Sequence, residues 1–411
     1  MTEAMVGDVR VPASPREVSE TLGIRDGAAF RLTPGKITHP LAQGRYQSPL
    51  RYPGAKSALA PALGRVISAA TASSEVPRVD LLVEPFAGGA SASLRLVGDG
   101  TVERILLADA DPLVASFWQA AAADTDRLIE RMQHERSTYV QRGGAVAVER
   151  WDYWRDWRPA AGVSEATARL ETAVKCLFLN RTTFSGILHG RAGPIGGRAQ
   201  TSPYGIGCRW NQQGLEERLR FIGHLYYTGR LVDVWLCDWQ RTLEDVPERF
   251  PQLIPSRVVA YLDPPYLEKS EKLYRTSFDP HGGYAAASDE AAAQTSERVG
   301  DLHLKLAEYL RERAQFRWVL SYDADHTLIQ DPRLYARREM NPSSQDRELL
   351  GVHRWRISRR LLSTRYSASG KSGKRAASEL LLTTLPPSTV PLDEEFRSTH
   401  EWERAAQATT R

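Results

Sequence analysis

A chain of 411 residues with 42% hydrophobic and 25% charged residues has the composition of a soluble globular protein built from two or three structural units. The formal net charge is only +4, carried mostly by arginine, which permits a nucleic-acid partner without requiring one. Three cysteines without a CxxC pair argue against a zinc site and a disulfide framework, and the absence of a long apolar run or signal-peptide pattern argues against a membrane protein; a reduced, cytoplasmic setting is expected.

In chain order, residues 1–47 are rich in Pro, Gly and charge and read as an irregular extension. From Ser48 onward, short apolar runs ending in polar turns begin. Strands are predicted at residues 81–83, 105–107, 231–236, 258–262 and 318–320. Helical sequence lies between several of them, as at 301–314, where Leu302, Leu306 and Leu310 share a face. Strands alternating with helices predict an α/β fold with a mostly parallel sheet covered on both faces. The alternation lapses over 112–230, where helix-like sequence and a Gly/Arg-rich stretch suggest an inserted recognition unit. The α/β unit is thus expected over 48–111 and 231–385. Residues 386–411 are polar and read as a loosely attached tail.

Two stretches carry chemistry. LLVEPFAGGASASLRL, from Leu81 to Leu96, is a strand, a small-residue turn and a helix. Gly88 and Gly89 allow close approach of a ligand, and the helix that follows presents free amides. A plain tight turn fits this stretch about as well, since it is not a strict GxGxxG. The next strand ends in Asp109, at the spacing where an acid grips a ribose diol in nucleotide-binding α/β folds; helix caps also produce acidic strand ends. Ser91 and Ser93 follow the glycines without the lysine that a phosphate loop requires. A nucleoside without phosphates fits better, and S-adenosylmethionine is one. Asp238 and Trp239 close the 231–236 strand. There, a carboxylate bond and ring stacking to an adenine compete with a helix cap beside a core tryptophan.

The second stretch is RVVAYLDPPYLEKS, from Arg257 to Ser270. Two prolines end the strand in a rigid turn, because each removes a donor and fixes φ. An exocyclic amine on a nucleobase is a poor nucleophile, its lone pair delocalised into the ring. Asp263 and the carbonyl of Pro264, held by Pro265, are suited to accept both amine protons and localise that lone pair, while Tyr266 stacks on a base flipped from the duplex. His303 is expected to pack or face solvent rather than act as a base.

Together these motifs resemble those of amino-group DNA methyltransferases. EPFAGGA (Glu84 to Ala90) and DPPY (Asp263 to Tyr266) form the motif pair. LRYPGAKS (Leu50 to Ser57), LNRTTFSGI (Leu179 to Ile187) and RYSASGKSGKRAASELLLT (Arg365 to Thr383) occur in the order of the Dam-like, alpha-group adenine-specific family. The resemblance implies a Rossmann-like, S-adenosylmethionine-dependent fold with an inserted, mainly helical target-recognition domain. It implies cofactor contacts from Tyr52, Lys56, Asp109 and Asp263, and a pocket shaped by Glu84, Phe86 and Gly88. Ala90 stands where the family usually has a further glycine. The lysine segment reads Pro-Gly-Ala-Lys rather than Ala-Gly-Gly-Lys, with Gly54 and Lys56 retained.

Double-stranded DNA is the expected partner. Asn180 lies in the family's Asn-Arg element, and Arg181, Arg191, Arg198 and Arg209 interleave with Phe184, Tyr204 and Trp210. Arg359, Arg360, Arg365, Lys371, Lys374 and Arg375 form a second basic group, although a charge run is also the usual mark of a solvated face. The function implied is methylation of adenine's exocyclic amine at a specific DNA site. Methylation of cytosine's exocyclic amine and non-catalytic DNA binding are the alternatives. Whether the protein stands alone or serves a restriction or phage-defence system is not encoded in these motifs.

Overall fold

The computed structural model describes residues 48–51, 59–73, 76, 78–190, 192–265, 302–340, 356–365 and 376–409. Strands β1 (Leu81–Glu84), β2 (Arg104–Asp109), β3 (Leu231–Leu236), β4 (Val258–Leu262) and β5 (Arg317–Asp323) run parallel. With β6 (Ser358–Arg365), β7 (Ala376–Thr383) and β8 (Phe396–Arg397) they form one eight-stranded sheet, in the order β3-β2-β1-β4-β5-β7-β6-β8. β7 is antiparallel to both β5 and β6, and β8 to β6. This mixed α/β architecture agrees with the predicted class. The strands expected at 231–236 and 258–262 are found with those bounds. The other three are longer than their apolar centres, because Glu84, Arg104, Asp109, Arg317 and Asp323 continue the ladders.

Alternate residues of each strand feed two cores, as the period of two demands. Leu82, Ile105, Leu107, Val259 and Val319 meet helices α1 (Ala60–Thr71), α2 (Ser91–Gly98), α3 (Pro112–Ala123), α4 (Thr125–Thr138), α5 (Gly144–Asp156), α6 (Glu165–Thr182) and α7 (Gln212–Tyr227). Leu81, Val83, Leu106, Ala260 and Leu320 meet α8 (Trp239–Arg249) and α9 (302–312). Burial on both faces explains the near-continuous apolar runs. Residues 112–230 are mainly helical, and their core is continuous with that of the sheet: α3 is buried almost all round, between β3 on one side and α6 and α7 on the other.

The C-terminal stretch corrects the expectation of a loosely attached tail. Phe396 is fully buried and β8 pairs with β6. Arg65 bridges Asp393 and Glu395. Beyond α10 (Thr327–Gln330) and β8, helix α11 (His400–Thr409) stacks Trp402 on His326, with ring centroids 4.1 Å apart, and sets Glu403 3.2 Å from Arg359. These anchors are few and irregularly spaced, so the composition around them stays polar. Among the described residues no helix is long and apolar enough to cross a membrane.

Candidate active site

The sheet's strand order changes direction at β1: β2 and β3 lie to one side, β4 and β5 to the other. In open α/β sheets the crevice beyond the carboxyl ends of the strands at such a switch point is where ligands bind. Four acids stand there. Glu84 ends β1, Asp109 ends β2, Asp238 follows β3 and Asp263 follows β4. Asp263, partly buried, is close enough to Glu84 for each charge to act on the other. The aspartate of the Pro-Pro turn and the small-residue turn therefore lie at the same carboxyl end of the sheet.

The turn after β1 is braced from the β2 side. The amide of Ala87 donates to the carbonyl of Ala108 at 2.9 Å, and the amide of Gly88, at φ 44°, donates to Asp109 Oδ2 at 2.8 Å. Asp109 Oδ1 accepts from the amide of Asp111 at 2.9 Å. Trp118 of α3 donates from Nε1 to the carbonyl of Gly88 at 2.9 Å. Phe86 is half-buried against the second core. Ala90 adopts a left-handed conformation (φ 45°, ψ 27°) at the entry to α2, a geometry that favours glycine.

Glu84 is only 3% exposed, and among the described residues its Oε2 meets no hydrogen-bonding partner. Burial pushes its pKa up to about 8; Ser93 in the first turn of α2 offsets part of this, and the charges of Asp263 and Asp109 add to it. Burial likewise pushes Asp109 up to about 7, helped by the charge of Asp111 and opposed by the Asp111 and Gly88 amides. Among the described residues no lysine or arginine pairs with either acid. A strand-end crevice bordered by such carboxyls disfavours phosphates. It suits a ligand that brings its own positive charge and hydroxyl donors.

At the Pro-Pro turn, Ser321 Oγ of β5 lies 3.4 Å from Asp263 Oδ1 and 3.1 Å from the hydroxyl of buried Tyr261. Pro264 is buried and Pro265 partly so. His303 packs beside Tyr322 of the second core, its Nδ1 2.7 Å from the Tyr322 hydroxyl, and burial lowers its pKa to about 4; it is a buried core residue. Asp238 caps α8, its Oδ1 accepting from the amides of Gln240 (3.0 Å) and Arg241 (3.1 Å), while Trp239 packs edge-on against Tyr309. The helix-cap alternative is the one observed.

Several expected DNA contacts are used elsewhere. Asn180 is fully buried, its side chain satisfied by the backbone of Arg51 and Gly186. Arg181 is buried and donates to the carbonyl of Pro49. Backbone groups of the protein hold both side chains. Trp210 is buried against Phe178. Arg359 is held by Glu403 and the carbonyls of Tyr335 and Ala336, and Arg360 by those of Pro391 and Val390. Arg198 and Arg209 are exposed, and Arg198 forms a two-pronged pair with Asp152 at 2.7 and 3.0 Å. Tyr52, Gly54, Lys56, Arg191, Tyr266, Lys371, Lys374 and Arg375, with the 1–47 extension and the 267–300 segment, lie outside the described residues, as does the side chain of Arg365.

Trp118, Asp111, Ser321 and His189 were not expected at the site. His189 Nε2 lies 2.5 Å from Asp111 Oδ2. Only Asp111 left a signal: Asp-Pro at a helix entry is a cap followed by proline at the first helical position.

A family model described as D12 class N6 adenine-specific DNA methyltransferase matches residues 52–287. No curated protein matches the chain.

Proposed function

This chain belongs to the D12 class N6 adenine-specific DNA methyltransferase family, and from that premise we propose that it methylates the exocyclic amine of adenine at a specific site in duplex DNA, with S-adenosylmethionine as donor. When bound, that donor supplies a methyl group activated by a sulfonium. The observation that carries the reading is the placement of Asp263 near enough to Glu84 for its charge to be felt there, with Glu84 Oε2 buried and without a hydrogen-bonding partner among the described residues. That donor set fits the molecule: Glu84 and Asp263 answer its positive charge and Asp109 its ribose diol.

In this reading Asp263 and the carbonyl of Pro264 accept hydrogen bonds from the two amine protons of a flipped adenine, with Pro265 keeping that carbonyl in place. The amine nitrogen gains a bond to carbon as the carbon–sulfur bond breaks, and the cationic product then loses its proton. No strong base is required before transfer, which agrees with His303 being buried in the core. Tyr266 stacks on the base and Lys56 serves the cofactor, as the family resemblance implies. Residues 112–230 carry target recognition. Support comes from the exposed Phe184 (65%), Tyr204 (67%), Arg198 and Arg209 on the stretch between α6 and α7, a mixture suited to phosphate and base contacts. The enzyme acts in the cytoplasm on intracellular DNA.

The test is to express the protein in a host without DNA methylation and to sequence the genome by a method that reports modified bases. N6-methyladenine in one recurring sequence context is expected. Methylated cytosine amines would replace the base assignment, and an unmodified genome with abundant folded protein would overturn the activity.

A further inference from the structure

We propose that residues 180–190 form a bracket that positions the cofactor pocket, with Asn180, Arg181 and His189 as positioning residues rather than DNA contacts. Asn180 treats Arg51 as a neighbouring strand would: its Oδ1 accepts from the Arg51 amide at 2.7 Å, and its Nδ2 donates to the Arg51 carbonyl at 2.7 Å. The same Nδ2 donates to the carbonyl of Gly186 at 3.1 Å, closing the turn onto the helix end. Arg181 holds the carbonyl of Pro49, and Arg218 of α7 that of Ser48 at 3.2 Å. Each main-chain residue from Ser48 to Arg51 except Leu50 is therefore gripped by a side chain from α6 or α7. Gly186 sits so close that an added Cβ would come within 2.5 Å of the Arg51 carbonyl oxygen, and its φ of 76° is itself a glycine conformation.

The other end of the bracket reaches the strand-end acids. His189 meets Asp111 at 2.5 Å, and Asp111 spends its other oxygen on capping α3 through the Leu113 amide at 2.9 Å. The Asp111 amide donates to Asp109, the acid assigned to the ribose. The bracket is anchored on its far side by Arg155, which donates to the Gly190 carbonyl at 2.7 Å, and by Trp151, which donates to Thr183 Oγ1 at 3.0 Å. Polar residues of this segment thus hold both the 48–51 main chain, which leads into the lysine segment, and Asp111 beside the strand-end acid Asp109, while Phe184 alone among its rings points to solvent. A group that fixes a ligand-binding acid from behind acts on affinity through that acid's geometry.

The inference rests on the proposed cofactor site at Asp109, so Asp109→Ala is the reference variant. Binding of S-adenosylmethionine to the full chain is measured by calorimetry, alongside its KM, kcat and binding to linear plasmid DNA. His189→Ala and Asn180→Ala are each expected to weaken cofactor affinity and raise its KM about tenfold, the scale of one lost hydrogen bond to a charged or buried partner. DNA affinity and kcat should move far less. Unchanged cofactor affinity in His189→Ala, with Asp109→Ala impaired, overturns the bracket. So does a loss confined to DNA binding. If Asp109→Ala itself binds cofactor normally, the pocket assignment fails and the bracket falls with it. Should Asn180→Ala not fold, the partly exposed His189 decides the matter alone.

Discussion

The two ends of the parallel strands handle buried acids in opposite ways. At the amino ends, Glu103 before β2 is buried between Arg78 and Arg230, the latter 3.2 Å away, and Asp80 before β1 lies 3.3 Å from Arg257 and 3.8 Å from Arg78. At the carboxyl ends, Glu84 is as deeply placed and Asp109 partly buried, yet among the described residues no lysine or arginine pairs with them, and burial raises their pKa values. The same side chains thus serve different ends. Paired acids hold the base of the sheet together. Those without a cationic partner would be relieved of that cost by a cationic ligand such as the proposed donor.

The chemistry proposed for the carboxyl end is tested most severely at Asp263, which follows β4. Asp263→Ala should lower methyl transfer by about 100- to 1000-fold or more, the range for removing one preorganised group from a transition state, with DNA binding largely kept. Transfer of labelled methyl groups at the wild-type rate would remove Asp263 from the chemistry. At the opposite end, Glu103→Gln should leave the arginines short of a partner and lower unfolding free energy by about 3 kcal/mol, somewhat less for the exposure of Arg78. Denaturant titration reads that loss. Cofactor affinity of the folded variant should not change, and a parallel loss of affinity would erase the division of labour between the two ends.

pH separates the ends more finely. A carboxyl whose folded pKa is raised binds its proton more tightly in the folded state. Its stabilising contribution is full below the ordinary carboxyl pKa, near 4, and is lost as pH rises through the folded value. For Asp109 and Glu84 those values are about 7 and about 8. The ligand-free protein should therefore lose thermal stability progressively from about pH 4 to about pH 8 and level off above, because only between the ordinary and the raised pKa does the folded state hold protons that the unfolded state has released. S-adenosylmethionine should bind more tightly as pH rises through those folded values and release protons, measurable as a buffer-dependent calorimetric heat. His303 works in the other direction, because its pKa is lowered to about 4: its contribution is present above its ordinary value and is lost in acid. Glu84→Gln should flatten the alkaline part of both curves. A wild-type affinity that does not vary with pH there would separate Glu84 from the ligand.

What could be read from sequence follows from how local each interaction is. β3 and β4 were legible to the residue because burial on both faces leaves an unbroken apolar run between turn residues. Glu84, Asp109 and Asp263 were legible because an acid at the end of such a run is conspicuous. Asp238 occupies the same kind of position, and only its contacts with the amides of Gln240 and Arg241 distinguish a cap from a ligand. Asn180 and Arg181 misled for a physical reason. Their partners, Arg51 and Pro49, lie 129 and 132 residues away, and polar residues amid Arg and Phe resemble a nucleic-acid surface until the fold shows what they touch. The C-terminal anchors on Arg65, His326 and Arg359 are hidden by the same distance in sequence.

The smallest expected effect concerns Ala90, where the chain departs from the family's glycine. Its left-handed backbone places Cβ against the following carbonyl, at about 1–2 kcal/mol, and the residue is buried beside the turn, so solvent offers no relief. Ala90→Gly removes that strain but gives the unfolded chain more freedom, which takes back about 0.4–1 kcal/mol. A net gain of about 0.5 kcal/mol is expected from thermal melts, with activity kept. If the variant is instead destabilised, the methyl of Ala90 contributes packing that outweighs its backbone strain, and the turn at the carboxyl end is a packed element rather than a permissive one.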